Sequence, residues 1–269
     1  MSSNRRRLAS RLAVHKPANL KGCRRLRDGW FLDQTISFRR KTPIKNSAGM
    51  CMAPPKQITH LQSPTAAAYP EPAADDPRLL EVMALARACE VESVHTLHVH
   101  HLALRLFDDL APLHQLGEKE RFLLQCAALL HDIGWVEGWR GHHKAGLAII
   151  LRTPLLTFPN KERLVIGSVV RYHRRALPQP DHDNFAALKP AEQALVKQLA
   201  AVLRIADGLD DQHQRRVEYL GCEVDPEEVV LICKANQSAE EERTAALEKS
   251  DLFEQVFERR IAIAWSQAQ

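Results

Sequence analysis

The chain has 269 residues, is 45% hydrophobic and 6% aromatic, and carries a formal charge of +4 with a pI near 8.8. That is enough apolar content to bury a sizeable core in one large domain or two small ones, and no stretch approaches the ~18–20 apolar residues that would cross a membrane. The charge is uneven: residues 1–50 hold thirteen Lys or Arg against Asp28 and Asp33, giving +11 and leaving −7 on the remainder, so the pI says nothing about the partners of the folded part.

Residues 1–74 are rich in Arg, Lys, Ser, Pro and Ala, show no sustained apolar period, and are expected to be a disordered basic tail and linker. Met50 and Met52 also offer later starts, and an Arg-rich, acid-poor leader fits an organelle transit peptide. The leader lacks the apolar run of about 7–15 residues that a secretory signal needs. A nucleic-acid-binding arm is disfavoured, because only Trp30, Phe31 and Phe38 interleave its charges. Six scattered cysteines (Cys23, Cys51, Cys89, Cys126, Cys222, Cys233) form no CxxC, which points to reduced thiols and a cytoplasmic setting.

Order is expected from Asp76-Pro77, an N-cap followed by proline, into a helix reaching about Cys89. Further helices are expected over 91–110 and 118–132, the latter stopped by Gly134. A shorter helix begins near His142 and ends before Pro154, and Asn160 caps another reaching His173. Pro190 starts a long helix through Ala206, broken at Gly208. Then β-branched runs at 217–224 and 229–234 read as strands, 239–258 as helix interrupted near Ser250, and 260–265 as a last strand. The expected fold is mainly α. A helical metal-binding domain spans 75–215, and a small α+β extension spans 216–269.

His131-Asp132 ends a run, Phe122 to Leu130, that is apolar almost throughout. An imidazole and a carboxylate at such a place cost roughly several kcal/mol unless they are paired or bind metal. More candidate ligands flank the pair: His95, then His142 or His143, His173 and Asp207. Most of them fall at expected helix ends, where inward-pointing side chains build a bundle-core metal site. His98 shares the face of His95, whereas His100, His101, His114, His182 and His213 read as ordinary surface or core histidines. Lys144, Arg171, Arg174 and Arg175 lie beside the ligands and suit phosphate; equally, they suit a solvated helix end.

The segments HTLHVHHLALRLFDDLAPLH, AALLHDIGW, HHKAGLAII, VVRYHRRALP and LRIADGLD resemble, in order and spacing, the HD-domain superfamily of metal-dependent phosphohydrolases. They are most similar to the C-terminal HD-like region of the Ppx/GppA exopolyphosphatase family, over about residue 76 to Trp265. The resemblance implies an HD-type helical bundle with His95, His131, Asp132 and Asp207 as the core ligands. It adds His142 and His173 for a second ion, since Gly146 follows His142 at the spacing of two-metal HD proteins. It does not extend to the family's actin-like catalytic module, so exopolyphosphatase activity is not carried over. It implies one or two divalent ions (Mn, Fe, Ni, Co, Mg or Zn), and a phosphorylated small molecule or polyphosphate as ligand. No membrane partner is expected, nucleic acid is disfavoured, and the related regions suggest a homodimer. The expected activity is phosphate-ester hydrolysis by metal-activated water, with Asp132, Lys144 and Arg174 as catalytic residues. Two alternatives share the pattern: a non-catalytic binding or dimerisation module, and a di-iron oxygenase with the same six-ligand order. HDIGWVEGW lacks the Glu-Asp pair of stringent-response hydrolases, and RRALPQP stands where a GYP motif would be.

Overall fold

The computed structural model describes residues 76–91, 93–154 and 156–267. The expected tail and linker therefore lie outside the described residues. The first helix, α1 (Pro77–Ala88), starts as its sequence requires: the Asp76 carboxylate accepts the Arg78 N–H at 2.8 Å. Leu79, Val82, Met83 and Leu85 form its buried stripe.

Four helices enclose the core: α2 (Ser93–Asp109), α4 (Glu118–Leu130), α6 (Asn160–Tyr172) and α8 (Pro190–Gly208). Between them run α3 (Ala111–His114), α5 (His142–Arg152) and α7 (Asp183–Ala186). Helix α8 touches α2, α4 and α6, and its last ten residues, Leu199 to Gly208, are buried without interruption. A helix apolar all round is a central one. Each of the fully buried Leu124, Leu130, Ile133, Leu199 and Leu203 contributes roughly 1.5–3 kcal/mol of transfer free energy.

The chain then changes period. Strands β1 (Val217–Val224) and β2 (Glu228–Ala235) pair antiparallel, from Val217↔Ala235 to Val224↔Val229. Strand β3 (Arg260–Gln267) pairs parallel with β2, beginning at Glu228↔Arg260. A parallel pair needs a crossover, which α9 (Glu240–Glu248) and α10 (Asp251–Phe257) supply. Alternation along β2 buries Val229, Leu231 and Cys233. Strand β1 packs on α2, and both crossover helices pack on α8. The protein is thus mainly helical, with one small three-stranded sheet at its C-terminal end.

Several local expectations need correction. Helix α4 ends at Leu130 rather than 132, and a 3-10 turn (Ile133–Glu137) follows. Gly134 does not stop the helix through a left-handed backbone. It permits contact: a Cβ there would lie 1.9 Å from the His142 carbonyl oxygen. Gly208 does not break α8 but closes it, where a Cβ would meet Ala246 Cα at 2.6 Å. Asn160 is the first helical residue instead of the cap, and Pro159 precedes it. The short helices α3 and α7 were not anticipated, because four residues are too few to display a period. Among the described residues no helix is long and apolar enough to cross a membrane.

Candidate metal centre

The fold gathers five segment ends at one point. His95 lies in the first turn of α2, and His131 and Asp132 follow the last residue of α4. His142 opens α5, His173 follows α6, and Asp207 is the penultimate residue of α8. Adjacent residues such as His131 and Asp132 diverge inside a helix but converge on one centre where the helix ends. All four imidazoles are buried, at 0–2% exposure, and Asp132 and Asp207 retain only 9% and 7%.

The six side chains form two groups joined by one carboxylate. Asp132 Oδ2 lies 3.5 Å from His131 Nε2 and 3.9 Å from His95 Nε2. Asp207 Oδ1 completes that group, 3.6 Å from His95 Nε2 and 3.8 Å from His131 Nε2. The other oxygen, Asp132 Oδ1, lies 3.2 Å from His142 Nε2 and 3.7 Å from His173 Nε2. Two donors each about 2.0–2.2 Å from one ion, at cis or tetrahedral angles, sit roughly 3.0–3.6 Å apart. The observed spacings, 3.2–3.9 Å, fall in or just above that range.

The remaining ring nitrogens explain why the Nε2 atoms face inward. His131 Nδ1 meets Ala128 O at 2.7 Å, His173 Nδ1 meets Val170 O at 2.7 Å, and His142 Nδ1 meets Trp139 O at 3.0 Å. A carbonyl only accepts, so each of these Nδ1 atoms carries the proton and each Nε2 presents a lone pair. With both rings neutral, His142 Nε2 and His173 Nε2 confront each other at 3.4 Å as two lone pairs. Two lone pairs at that distance repel unless a cation sits between them. His95 Nδ1 is held by the buried Asp210 carboxylate at 2.8 Å, an arrangement that raises ligand basicity. The donor set therefore fits a divalent metal.

The electrostatics agree. Burial pushes His131 down, and takes His173 down to about 3, so both stay neutral at pH 7. Burial would raise the Asp132 carboxyl, but His131, His142 and His173 hold it well below the usual range. Burial likewise opposes ionisation of Asp207, yet Lys249 and His95 keep it far below normal. Burial disfavours a proton on His95, but Asp207 and Asp210 overcome this and raise it to about 10. A carboxylate field strong enough to hold a proton there attracts a divalent cation to the same place.

Of the paired candidates, His142 faces the centre. His143 is buried beside it but belongs to neither group. Burial and the nearby Arg171, Arg175 and Arg174 take its imidazole down to about 4. Arg174 is half-buried and its charge is felt at His143, while Lys144 is exposed on the first turn of α5. Trp135, half exposed, lies over His142 with ring centroids 5.2 Å apart.

Three participants were not anticipated from sequence. Asp210 lies three residues beyond Asp207 in LRIADGLD, and that spacing could have revealed it. His213 reads as an ordinary histidine in the sequence, but its ring stacks on His95 at 3.7 Å and 5°, and a ring nitrogen groups with ligand atoms of His95 and Asp132. Lys249 comes from the end of α9, and no motif marks it. By contrast His114 is a satisfied core histidine, bonded to Phe107 O at 2.7 Å and to Leu116 N–H at 2.9 Å.

A family model described as Ppx/GppA phosphatase, domain III, matches residues 78–256, and the chain belongs to that family. The match ends within α10, so it spans both the helical core and most of the crossover that closes the sheet.

Proposed function

We propose that this member of the Ppx/GppA family is a metal-dependent phosphohydrolase of the HD type, acting on a phosphate ester or a nucleotide-like compound. The single observation that carries the reading is Asp132, one carboxylate with an oxygen turned to each of two His/Asp groups. His95, His131 and Asp207 would hold one divalent ion and Asp132, His142 and His173 a second, with Asp132 Oδ2 also close to His131 and His95 of the first group. When bound, such ions lower the pKa of a water and polarise a phosphoryl oxygen.

The chain's own groups do the rest. The carbonyls of Ala128, Val170 and Trp139 fix three imidazoles in the tautomer that offers Nε2 inward. Arg174, with Arg171 and Arg175, places positive charge beside the centre, where a phosphoryl group gains negative charge during transfer. Lys144, exposed two residues beyond His142, can swing toward a bound phosphate. Trp135, stacked on His142, covers one face of that ring.

The test is elemental analysis of protein purified without chelator, followed by a phosphatase screen over phosphomonoesters, nucleotides and polyphosphate. One or two Mn, Co, Ni, Mg or Zn ions per chain, with phosphate release lost in Asp132→Ala, is the expected result. Two irons with oxygen consumption would replace the hydrolase by an oxygenase, which the shared-carboxylate geometry also accommodates. No metal even after reconstitution would sink both readings in favour of a binding or dimerisation module.

A further inference from the structure

The motif-bearing helices do not complete the centre by themselves. Lys249, at the end of α9, reaches back to α8 and places Nζ 3.0 Å from Asp207 Oδ2 and 2.9 Å from Asp211 Oδ1. Its side chain is only 16% exposed. A lysine at a helix end ordinarily extends into water and loses rotamer entropy when held. Something must therefore fix this one.

The surrounding packing does so. Gly208 lets the backbone of α9 close on α8, since a Cβ there would meet Ala246 Cα at 2.6 Å. The buried Arg204 guanidinium then ties three segments together. It donates to Lys249 O at 3.2 Å, to Tyr172 O at 3.3 Å, to Arg175 O at 3.4 Å, and to the Asp251 carboxylate at 2.7 Å. Tyr172 immediately precedes His173, so one buried cation sets the spacing between the end of α6, the end of α8 and the turn carrying Lys249.

Resting on the metal-centre reading above, we infer that Lys249 is a positioning residue: by taking Asp207 Oδ2 it leaves Oδ1 to face His95 and His131. A carboxylate with one oxygen engaged by an ammonium is a one-oxygen ligand of fixed orientation. Without that partner it can rotate, chelate with both oxygens or take up a proton. The segment after β2 is thereby a working part of the centre.

The experiment compares the full chain with Lys249→Met and Lys249→Arg, titrating each with Mn²⁺ by calorimetry and melting each in excess chelator. Lys249→Met should weaken Mn²⁺ binding by about 10–100-fold, the usual effect of losing a partner that orients a ligand. Lys249→Arg, which keeps a cationic N–H donor, should recover most of that loss. Unchanged Mn²⁺ affinity in Lys249→Met would overturn the assignment. So would an arginine variant as weak as the methionine one whose chelated melting point falls equally, because that pattern marks a purely structural lysine. A parent chain that binds no Mn²⁺, Co²⁺ or Zn²⁺ would instead remove the centre itself, and this inference with it.

Discussion

Gly134→Ala isolates the contact that sets His142 against Asp132. Gly134 adopts no left-handed backbone, so alanine carries no conformational penalty there, and its gain from a stiffer unfolded chain is at most ~1 kcal/mol. The obstacle is steric. The new Cβ would lie 1.9 Å from His142 O, 2.6 Å from His142 C and 2.7 Å from Gly146 N, all of them backbone atoms that cannot change rotamer. Carbon contacts settle near 3.5 Å, so relief requires the start of α5 to retreat by roughly 1.5 Å. Overpacking against backbone costs about 3 kcal/mol, the upper end of the usual range. The net destabilisation is then about 2 kcal/mol, and a domain of this size should melt about 4–8 °C lower. The same retreat lengthens the 3.2 Å approach of His142 Nε2 to Asp132 Oδ1, so the second metal position should weaken more than the first. Differential scanning calorimetry in chelator reads the first effect, and metal stoichiometry after dialysis reads the second. An alanine variant with the parent's melting point would refute the rigidity of this contact. One with a lowered melting point but full stoichiometry would refute its link to the centre.

His131→Ala and Asp132→Ala should each lose bound metal and the metal-dependent rise in melting temperature, since binding to the folded state is folding free energy; full metal content in either variant would refute the ligand assignment. In metal-free protein, His95 is raised from 6.5 to about 10. Its contribution to stability is whole below pH 6.5 and lost as pH rises toward 10, so the melting point in chelator should fall across that window, and less so in Asp210→Asn. A parent profile flat from pH 6.5 to 10 would defeat the pairing of His95 with Asp207 and Asp210. Arg204→Leu should cost about 1–3 kcal/mol, because it strips three carbonyls of their shared donor, while the half-exposed Asp251 carboxylate turns to water. Denaturant titration with a loss below ~1 kcal/mol would mean that water replaces the guanidinium.

The sequence by itself determined the helical class, the order of the elements and the residues worth watching. Apolar period and caps are local, so Asp76-Pro77 and the interruption near Ser250 could be read directly. His131-Asp132 stood out because charge-bearing groups inside an apolar run are costly wherever the chain goes. Glycine roles were misread, since a sequence shows that Gly134 and Gly208 lack a side chain but not which neighbour needs the space. The choice between His142 and His143 was equally hidden: both start one helix, and only the packing of α5 against the 3-10 turn decides which Nε2 meets Asp132. Asp210, His213 and Lys249 depend on contacts across long sequence separations, 115 residues for His95 with Asp210 and 42 for Lys249 with Asp207. No local period encodes such meetings. They exist because the buried end of α8 receives α2 on one side and the crossover helices on another, a result of tertiary packing alone.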